Sequence, residues 1–344
     1  MNILVEADVI HNLKWSPVVE LILELAAAAR HELSIQSIDE LRTSEWFKSE
    51  ARDLADLLNQ VEKSQTLRKS SVAVVVIRSG VGDSGFIGPG KETVISPAKA
   101  LEFLYTPFQL ILENEEFDGA FLLWMSKALK RSDFFQAYRA GKIEFRHAGG
   151  KGSIDRSIRL LNTRVWGRKD RRYWREMSRW AGVVIDSDSK CPGHEPNVAL
   201  VDRISDRVAF SHILKKRAIE SYLPKELMLK HLPAPSRTRV EALFELTTQQ
   251  RKHYHMKSGL RVDGGVVSKS QYIVSQKPLA GEKTLFSSIT DSGWSLLSPG
   301  FGSSLAELYV NESTRPDGSG YLDIIDPDDV VEMNYLFDKI MEAC

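Results

Sequence analysis

The hydrophobic and polar positions of the first hundred residues predict a mixture of helices and strands. Residues 17–33 are rich in alanine and leucine with a proline in the first turn, which predicts a helix. Residues 44–63 form a second, more polar helical segment, and the β-branched run at 71–77 predicts a buried strand. Ser96 and Pro97 supply an N-cap and a first helical position.

From residue 107 the pattern changes to a regular alternation of strands and helices. Short apolar runs predict strands at residues 108–112, 142–147, 180–185 and 207–213. Helices are predicted between them at 117–131 and 153–161. This alternation predicts a mostly parallel α/β sheet. After about residue 224 the chain becomes helical and loop-rich, with helices expected at 241–252 and 326–342.

Acidic residues follow two of the predicted strands. Glu113 closes the strand at 108–112, and Asp186 and Asp188 follow the strand at 180–185. Functional groups of parallel sheets gather at the carboxyl ends of the strands, so these carboxylates are expected to meet. Hard cations such as Mg²⁺ prefer oxygen ligands. Taken alone, Asp-x-Asp fits a turn or a helix cap better than a metal site, and the acids around Glu113 fit a solvated turn as well as a metal site.

Composition places limits on these expectations. The formal net charge is zero, so any nucleic-acid surface must be local. Two cysteines make no disulfide framework and fit a reducing compartment. No stretch approaches the roughly 18 apolar residues of a membrane helix, and the first residues lack a signal-peptide pattern. We expect a cytoplasmic protein with no membrane partner.

A basic segment at residues 164–180 is interleaved with aromatic residues. Cations bind phosphates and aromatic rings stack on unpaired bases, so the segment indicates a nucleic-acid contact. An amphipathic helix with its aromatics in the core is the alternative. The candidate contacts are Arg168, Lys169, Arg171, Arg172 and Arg175.

Other motifs carry weaker predictions. The glycine-rich run at 85–92 nearly matches a P-loop, but Glu92 stands where a Ser or Thr should hold Mg²⁺, which argues against ATP binding. Gly149 and Gly150 precede Lys151, which is expected either to contact a substrate phosphate or to lie in a plain tight turn. Cys191 and His194 form a single Cys-x-x-His pair that fits a turn better than zinc. The histidines show no metal spacing and are expected to be ordinary residues.

The order of these segments resembles a known fold. The runs LILENEEFDGAFLLWMSKAL, IEFRHAGGKGSIDRSI and AGVVIDSDSK are similar to the Toprim fold of topoisomerases, primases and the OLD (overcoming lysogenization defect) nucleases. FSHILKKRAIESYLP at residues 210–224 resembles the OLD branch, and HYHMKSGL at 253–260 resembles a segment with a functional lysine. The likeness covers roughly residues 107–260.

The resemblance implies a set of functional residues. The implied metal ligands are Glu113, Asp186, Asp188 and Glu220, with Lys257 as the functional lysine and with Lys216 and Arg217 beside the phosphate. The family pattern has a further acid four residues after the first Glu, where this chain has Phe117. Glu116 and Asp118 lie on either side of that position, and either could replace the missing acid, with Asp118 taken as the expected ligand. The implied cofactor is Mg²⁺ or Mn²⁺.

The alternation of strands and helices, together with the resemblance, predicts a Toprim-like α/β core at residues 107–225. An N-terminal α/β extension is expected at 1–106 and a mostly helical region that completes the site at 226–344. The predicted function is a metal-dependent nuclease acting on DNA or RNA, with DNA favoured. The alternative is a catalytically inactive nucleic-acid-binding or regulatory subunit. The resemblance further implies a separately encoded ATPase partner and a role in bacterial defence against phage, and the sequence is compatible with a homo-oligomer.

Overall fold

The protein is an α/β chain with two mainly parallel sheets followed by a helical region, as the sequence predicts. The computed structural model describes residues 2–27, 32–49, 54–66, 75–82, 86–87, 92–161, 180–314 and 322–344. Within these residues no helix is long and apolar enough to cross a membrane.

The first sheet has the strand order β2-β1-β3-β5-β4, in which β4 is antiparallel to β5 and the other pairs are parallel. Its strands are β1 (Asn2–Val5), β2 (Glu32–Ile35), β3 (Val75–Ile77), β4 (Phe86–Ile87) and β5 (Thr93–Ile95). The helices of this part are α1 (Ala7–Ile10), α2 (Ser16–Ala27), α3 (Ile38–Thr43), α4 (Glu45–Ser49), α5 (Ala55–Thr66) and α6 (Pro97–Tyr105).

Two boundaries in this part differ from the sequence prediction. The helix predicted at 17–33 does not reach residue 33, because Glu32–Ile35 forms β2 and pairs with β1. Neither strand was predicted, since each has four residues and no long alternating pattern. The helix predicted at 44–63 is divided into α4 and α5.

The second sheet has the strand order β7-β6-β8-β9, and all its pairs are parallel. Its strands are β6 (Phe108–Leu112), β7 (Ile143–His147), β8 (Ala181–Ile185) and β9 (Phe210–Ile213). Every residue of the two central strands is buried, which explains why both are continuous apolar runs in the sequence. The helices of this part are α7 (Phe117–Ala128), α8 (Ser132–Arg139), α9 (Ile154–Leu161) and α10 (Val198–Ile204).

The last third of the chain is mostly helical. Its elements are α11 (Lys225–His231), α12 (Arg237–Glu245), α13 (Thr248–His253), the hairpin β10 (Arg261–Val262) and β11 (Gly265–Val266), α14 (Lys269–Val274), α15 (Ala280–Phe286), α16 (Asp291–Leu297), α17 (Glu307–Ser313) and α18 (Pro327–Ala343). The helix predicted at 241–252 is two helices, because Thr247 and Gln250 form a capping box that begins α13. The helix predicted at 326–342 is confirmed as α18, and Asp326 is its N-cap.

Aromatic packing closes the end of the second sheet opposite the acidic loops. The Phe108 ring lies edge-on to Trp180, with ring centres 5.2 Å apart, and stacks on Phe210 at 6.1 Å. A side chain at Gly182 would overlap the Phe210 ring, so glycine at this strand position leaves room for the aromatic cluster. The apolar packing fixes the sheet whose other end carries the candidate site.

Candidate metal centre

The carboxyl ends of the second sheet bring together the loops that carry the predicted ligands. Glu113 follows β6, Lys151 lies in the turn after β7, and Asp186 directly follows β8. Because these strands are parallel, the three loops meet at one edge of the sheet. The amide of Asp186 donates to Oε1 of Glu113 at 3.2 Å, and the amide of Gly150 donates to the Glu113 carbonyl at 3.3 Å. Burial of the carboxyl raises the pKa of Glu113.

Asp118 is placed at this cluster by the first turn of α7. Its Oδ2 accepts a hydrogen bond of 2.9 Å from the Asn114 amide. Burial raises the pKa of Asp118 to about 7, and the nearby charges of Glu113 and Glu220 act in the same direction. Glu116, the acid on the other side of Phe117, is exposed. Of these two acids, Asp118 is the one that interacts with the other carboxylates.

Asp186 is a carboxylate that interacts electrostatically with three other acids of this cluster. Its Oδ1 accepts a 3.1 Å hydrogen bond from the Ile219 amide. This bond connects the loop after β8 to the 3₁₀ turn at Ile219–Tyr222, which follows β9. Burial is the largest cause that raises its pKa well above the ordinary value, followed by the charges of Asp118, Glu113 and Glu220. A carboxylate in this position is stabilised by a proton or by a cation.

Glu220 lies in a short 3₁₀ turn at Ile219–Tyr222 and is only 1% exposed. The Nζ of Lys257 is 2.9 Å from its Oε1. Apart from this ion pair, neither oxygen of Glu220 has a hydrogen-bond partner among the described residues. Burying a carboxylate is costly unless it is paired, and the Lys257 ammonium group is the cation that pairs with this one.

The loop of Lys257 is fixed by two glycines. Gly259 and Gly300 both have positive φ angles, +71° and +72°, and their backbones approach too closely for a Cβ atom at either position. Two hydrogen bonds from the residues after Gly300 also hold this loop. The Phe301 amide donates to the Met256 carbonyl at 2.8 Å, and the Gly302 amide donates to the Lys257 carbonyl at 3.0 Å. The contact orients a lysine whose side chain is 46% exposed.

Asp188 and Lys151 form the outer part of the cluster. Asp188 has a φ of +52°, in the left-handed region that Asp tolerates better than most residues. Its amide donates to the Arg217 carbonyl at 2.9 Å. Its Oδ2 is in direct contact with Nζ of Lys151, which also lies 3.3 Å from Oε1 of Glu113. Lys151 therefore bridges the loops after β6 and β8.

Arg217 lies beside this loop, with its guanidinium already engaged. Nη1 donates to the His253 carbonyl at 3.0 Å and is 3.9 Å from Oε1 of the buried Glu282. Burial lowers the pKa of Arg217, and its charge interacts with Asp188. His255, which was expected to be an ordinary residue, lies within reach of the charges of Arg217 and Asp188. Burial and the charge of Arg217 lower its pKa to about 4, so its imidazole is neutral near pH 7.

Several supporting residues were missed by the sequence analysis. The Asn197 amide group donates to the carbonyls of Asp186, at 2.7 Å, and Ser187, at 3.0 Å. The Tyr309 hydroxyl donates to the Ile219 carbonyl at 3.0 Å. Tyr309 holds the backbone of the Glu220 turn from 90 residues further along the chain, whereas Asn197 is 11 residues from Asp186, and no local pattern marks either residue.

The structure describes little of the basic segment at residues 164–180. Arg168, Lys169, Arg171, Arg172 and Arg175 lie outside the described residues, as does Lys91 of the glycine-rich run. Lys216, expected near a phosphate, pairs with the buried Asp329 at 2.6 Å.

The donor set fits a hard divalent ion in type and charge. Its ligand atoms are carboxylate oxygens, which Mg²⁺ prefers. A cavity of about 10 Å³, at the lower limit for holding one water, is lined by Asp118 and Asp186 and otherwise by apolar side chains. Among the described residues, no three or more His, Cys, Asp or Glu side chains are arranged so that they could hold a metal ion. Lys151 and Lys257 supply the positive charge in this arrangement.

No model of a protein family, no curated protein and no solved structure matches this chain.

Proposed function

We propose that this chain is a divalent-metal-dependent nuclease of the Toprim type that hydrolyses phosphodiester bonds of nucleic acid. The observation that carries the proposal is the electrostatic coupling of Asp186 with Glu113, Asp118 and Glu220 at one sheet edge, with the Glu220 carboxylate 1% exposed. Each of these carboxylates has a protein partner, but negative charges that are buried near one another are costly, and a bound cation would offset that cost. Burial and the neighbouring carboxylates raise the pKa values of Asp118 and Asp186 in the same way.

The ligands proposed for Mg²⁺ or Mn²⁺ are Glu113, Asp118, Asp186, Asp188 and Glu220. An ion held there supplies Lewis acidity toward a phosphate oxygen and lowers the pKa of a bound water. The Ile219 amide and the Asn197 side chain orient Asp186 and its loop. Lys257, ordered by the glycine contact, provides a cation that stabilises negative charge developing on the phosphate.

Substrate and partners are proposals that rest on the resemblance. DNA is the favoured substrate, with RNA as the second. Arg168, Lys169, Arg171, Arg172, Arg175 and Arg217 are proposed to contact its backbone. A separately encoded ATPase is proposed as a partner, and defence against phage as the biological role.

A catalytically inactive, nucleic-acid-binding or regulatory subunit is the second candidate. It is favoured by the engagement of lysines with acids of the site, Lys151 with Glu113 and Asp188, and Lys257 with Glu220. In that case Lys151 and Lys257 neutralise the acids in place of a metal ion. Binding to nucleic acid would fall steeply with salt, and no divalent ion would produce cleavage.

Cleavage of supercoiled plasmid and of tRNA with Mg²⁺, Mn²⁺ or EDTA separates the two candidates. We expect cutting that needs the metal and is lost in Asp186→Asn and Glu220→Gln. Glu116→Gln is the matched control, because Glu116 is an exposed acid of the same turn as Asp118. Full activity in Asp186→Asn would exclude the proposed site. Salt-sensitive binding without cutting would favour the inactive subunit.

A further inference from the structure

Lys151 occupies an unusual position for a surface-loop lysine. Its side chain is 18% exposed, and its ammonium group contacts Oδ2 of Asp188 and lies 3.3 Å from Oε1 of Glu113. These two carboxylates belong to different strand ends and are both proposed ligands. The Lys151 ammonium group therefore occupies the position between the two carboxylates where a divalent ion would have to lie in order to bind both.

Backbone hydrogen bonds hold the segment that leads into Lys151. The Ala148 amide donates to the Leu112 carbonyl at 2.8 Å, and the Gly150 amide donates to the Glu113 carbonyl at 3.3 Å. Both bonds join main-chain atoms alone, so a movement of the Lys151 ammonium group away from the carboxylates breaks neither of them.

We propose that Lys151 is an internal counter-cation that occupies part of the divalent-ion site and is displaced when the ion binds. The inference rests on the proposed metal function and deepens it. Glu113 and Asp188 are neutralised either by the ammonium group or by the ion, and the two compete. The concentration of ion that loads the site is then set by the strength of the lysine contacts. Binding of an ion to a vacated pair of carboxylates is tighter, because no ion pair has to be broken first.

Isothermal titration of the full chain with Mn²⁺ alone, at one pH and ionic strength, tests this. We expect Lys151→Gln to bind Mn²⁺ about tenfold more tightly than the wild type, within the usual range of coupling between two ligands. Lys151→Arg keeps the positive charge and should show no such gain. Lys277→Gln is the control, since Lys277 forms an exposed ion pair with Asp263 at 3.4 Å and should leave Mn²⁺ affinity unchanged.

The outcomes separate this inference from the proposed function. Equal or weaker Mn²⁺ binding in Lys151→Gln would overturn the inference, and loss of wild-type binding in Asp186→Asn would still support the metal site. If neither the wild type nor Lys151→Gln binds Mn²⁺, both proposals fail. Thermal midpoints in EDTA and in saturating Mn²⁺ give a second measurement. Lys151→Gln should melt lower than the wild type in EDTA and recover the difference in Mn²⁺.

Discussion

The Nζ of Lys257 lies 2.9 Å from Oε1 of Glu220, a carboxylate that is almost fully buried. The two residues belong to different parts of the chain, one in the turn after β9 and the other after α13. The pair is asymmetric, because the lysine is half-exposed and the glutamate has no other described partner. Removing the lysine therefore leaves a buried charge, whereas removing the glutamate leaves a lysine that water can solvate.

This asymmetry predicts the stability of variants without metal. Lys257→Met should lower the free energy of unfolding by about 1–3 kcal/mol, the usual cost of an unsatisfied buried polar group. Adding Glu220→Gln to Lys257→Met should recover much of the loss, because the buried charge is gone. Urea unfolding in EDTA of the two single variants and the double variant measures the coupling. Additive losses would show that the pair does not stabilise the fold.

Asp118 predicts a pH dependence of stability in the absence of metal. Its pKa in the folded protein is about 7, above the ordinary 3.8. The folded state thus holds this proton more tightly, and stability falls as pH rises from about 4 through 7. Asp118→Asn removes the charge and should be more stable than the wild type at pH 8, by on the order of 2–4 kcal/mol. The difference should vanish near pH 4.

Urea unfolding from pH 4 to pH 8 in EDTA checks this prediction. The Asn side chain keeps an oxygen that can accept the Asn114 amide, so the hydrogen bond is not the variable. Asp202→Asn is the matched control, because Asp202 is exposed on α10. A constant difference between Asp118→Asn and the wild type across this range would contradict a raised pKa.

The contact of Gly259 with Gly300 predicts a local steric effect. Gly300→Ala introduces a Cβ that overlaps the Gly259 amide and the Lys257 carbonyl, at a φ of +72°. We expect a loss of about 2–4 kcal/mol from strain and displaced backbone. Gly80→Ala provides the comparison, since Gly80 has the same φ of +72° but open space around a Cβ.

The difference between these two alanine variants isolates the close approach from the strain of the backbone angle. Thermal or urea unfolding measures it directly. Mn²⁺-dependent cleavage should also fall more in Gly300→Ala than in Gly80→Ala, because the overlap displaces the Lys257 loop. Equal losses of stability in both variants would show that backbone strain alone accounts for the effect.

A buried network on α18 predicts that the C-terminal helix supports the site. Glu332 accepts hydrogen bonds from the Tyr222 hydroxyl and the Lys215 amide, both at 2.7 Å, and lies 3.1 Å from Nε2 of His212. Glu332→Ala should lose about 3 kcal/mol or more, because it leaves these partners unpaired. Glu342→Ala, at an exposed position of the same helix, should change stability by less than about 0.5 kcal/mol. Similar values for the two variants in urea unfolding would rule out this role.

Local patterns predicted much of the second sheet. The central strands were found because each is a fully buried apolar run, and Glu113 and Asp186 were identified because each directly follows one. Patterns were less informative in the first sheet, where β1 and β2 have four residues each. They also failed at the break between α12 and α13, since a capping box interrupts an otherwise helical composition.

The sequence by itself determined the strands of the second sheet, and it placed Glu113 and Asp186 at the ends of two of them. Periodicity, capping residues and β-branched runs act over a few neighbouring positions, so they are visible along the chain. Only the tertiary structure decided the partners of those carboxylates. These partners are far apart in sequence: Lys257 pairs with Glu220, Lys151 with Glu113 and Asp188, and Glu332 accepts a hydrogen bond from Tyr222. Such contacts depend on how whole elements pack, and the free energy of burying each charge depends on neighbours that no local pattern specifies.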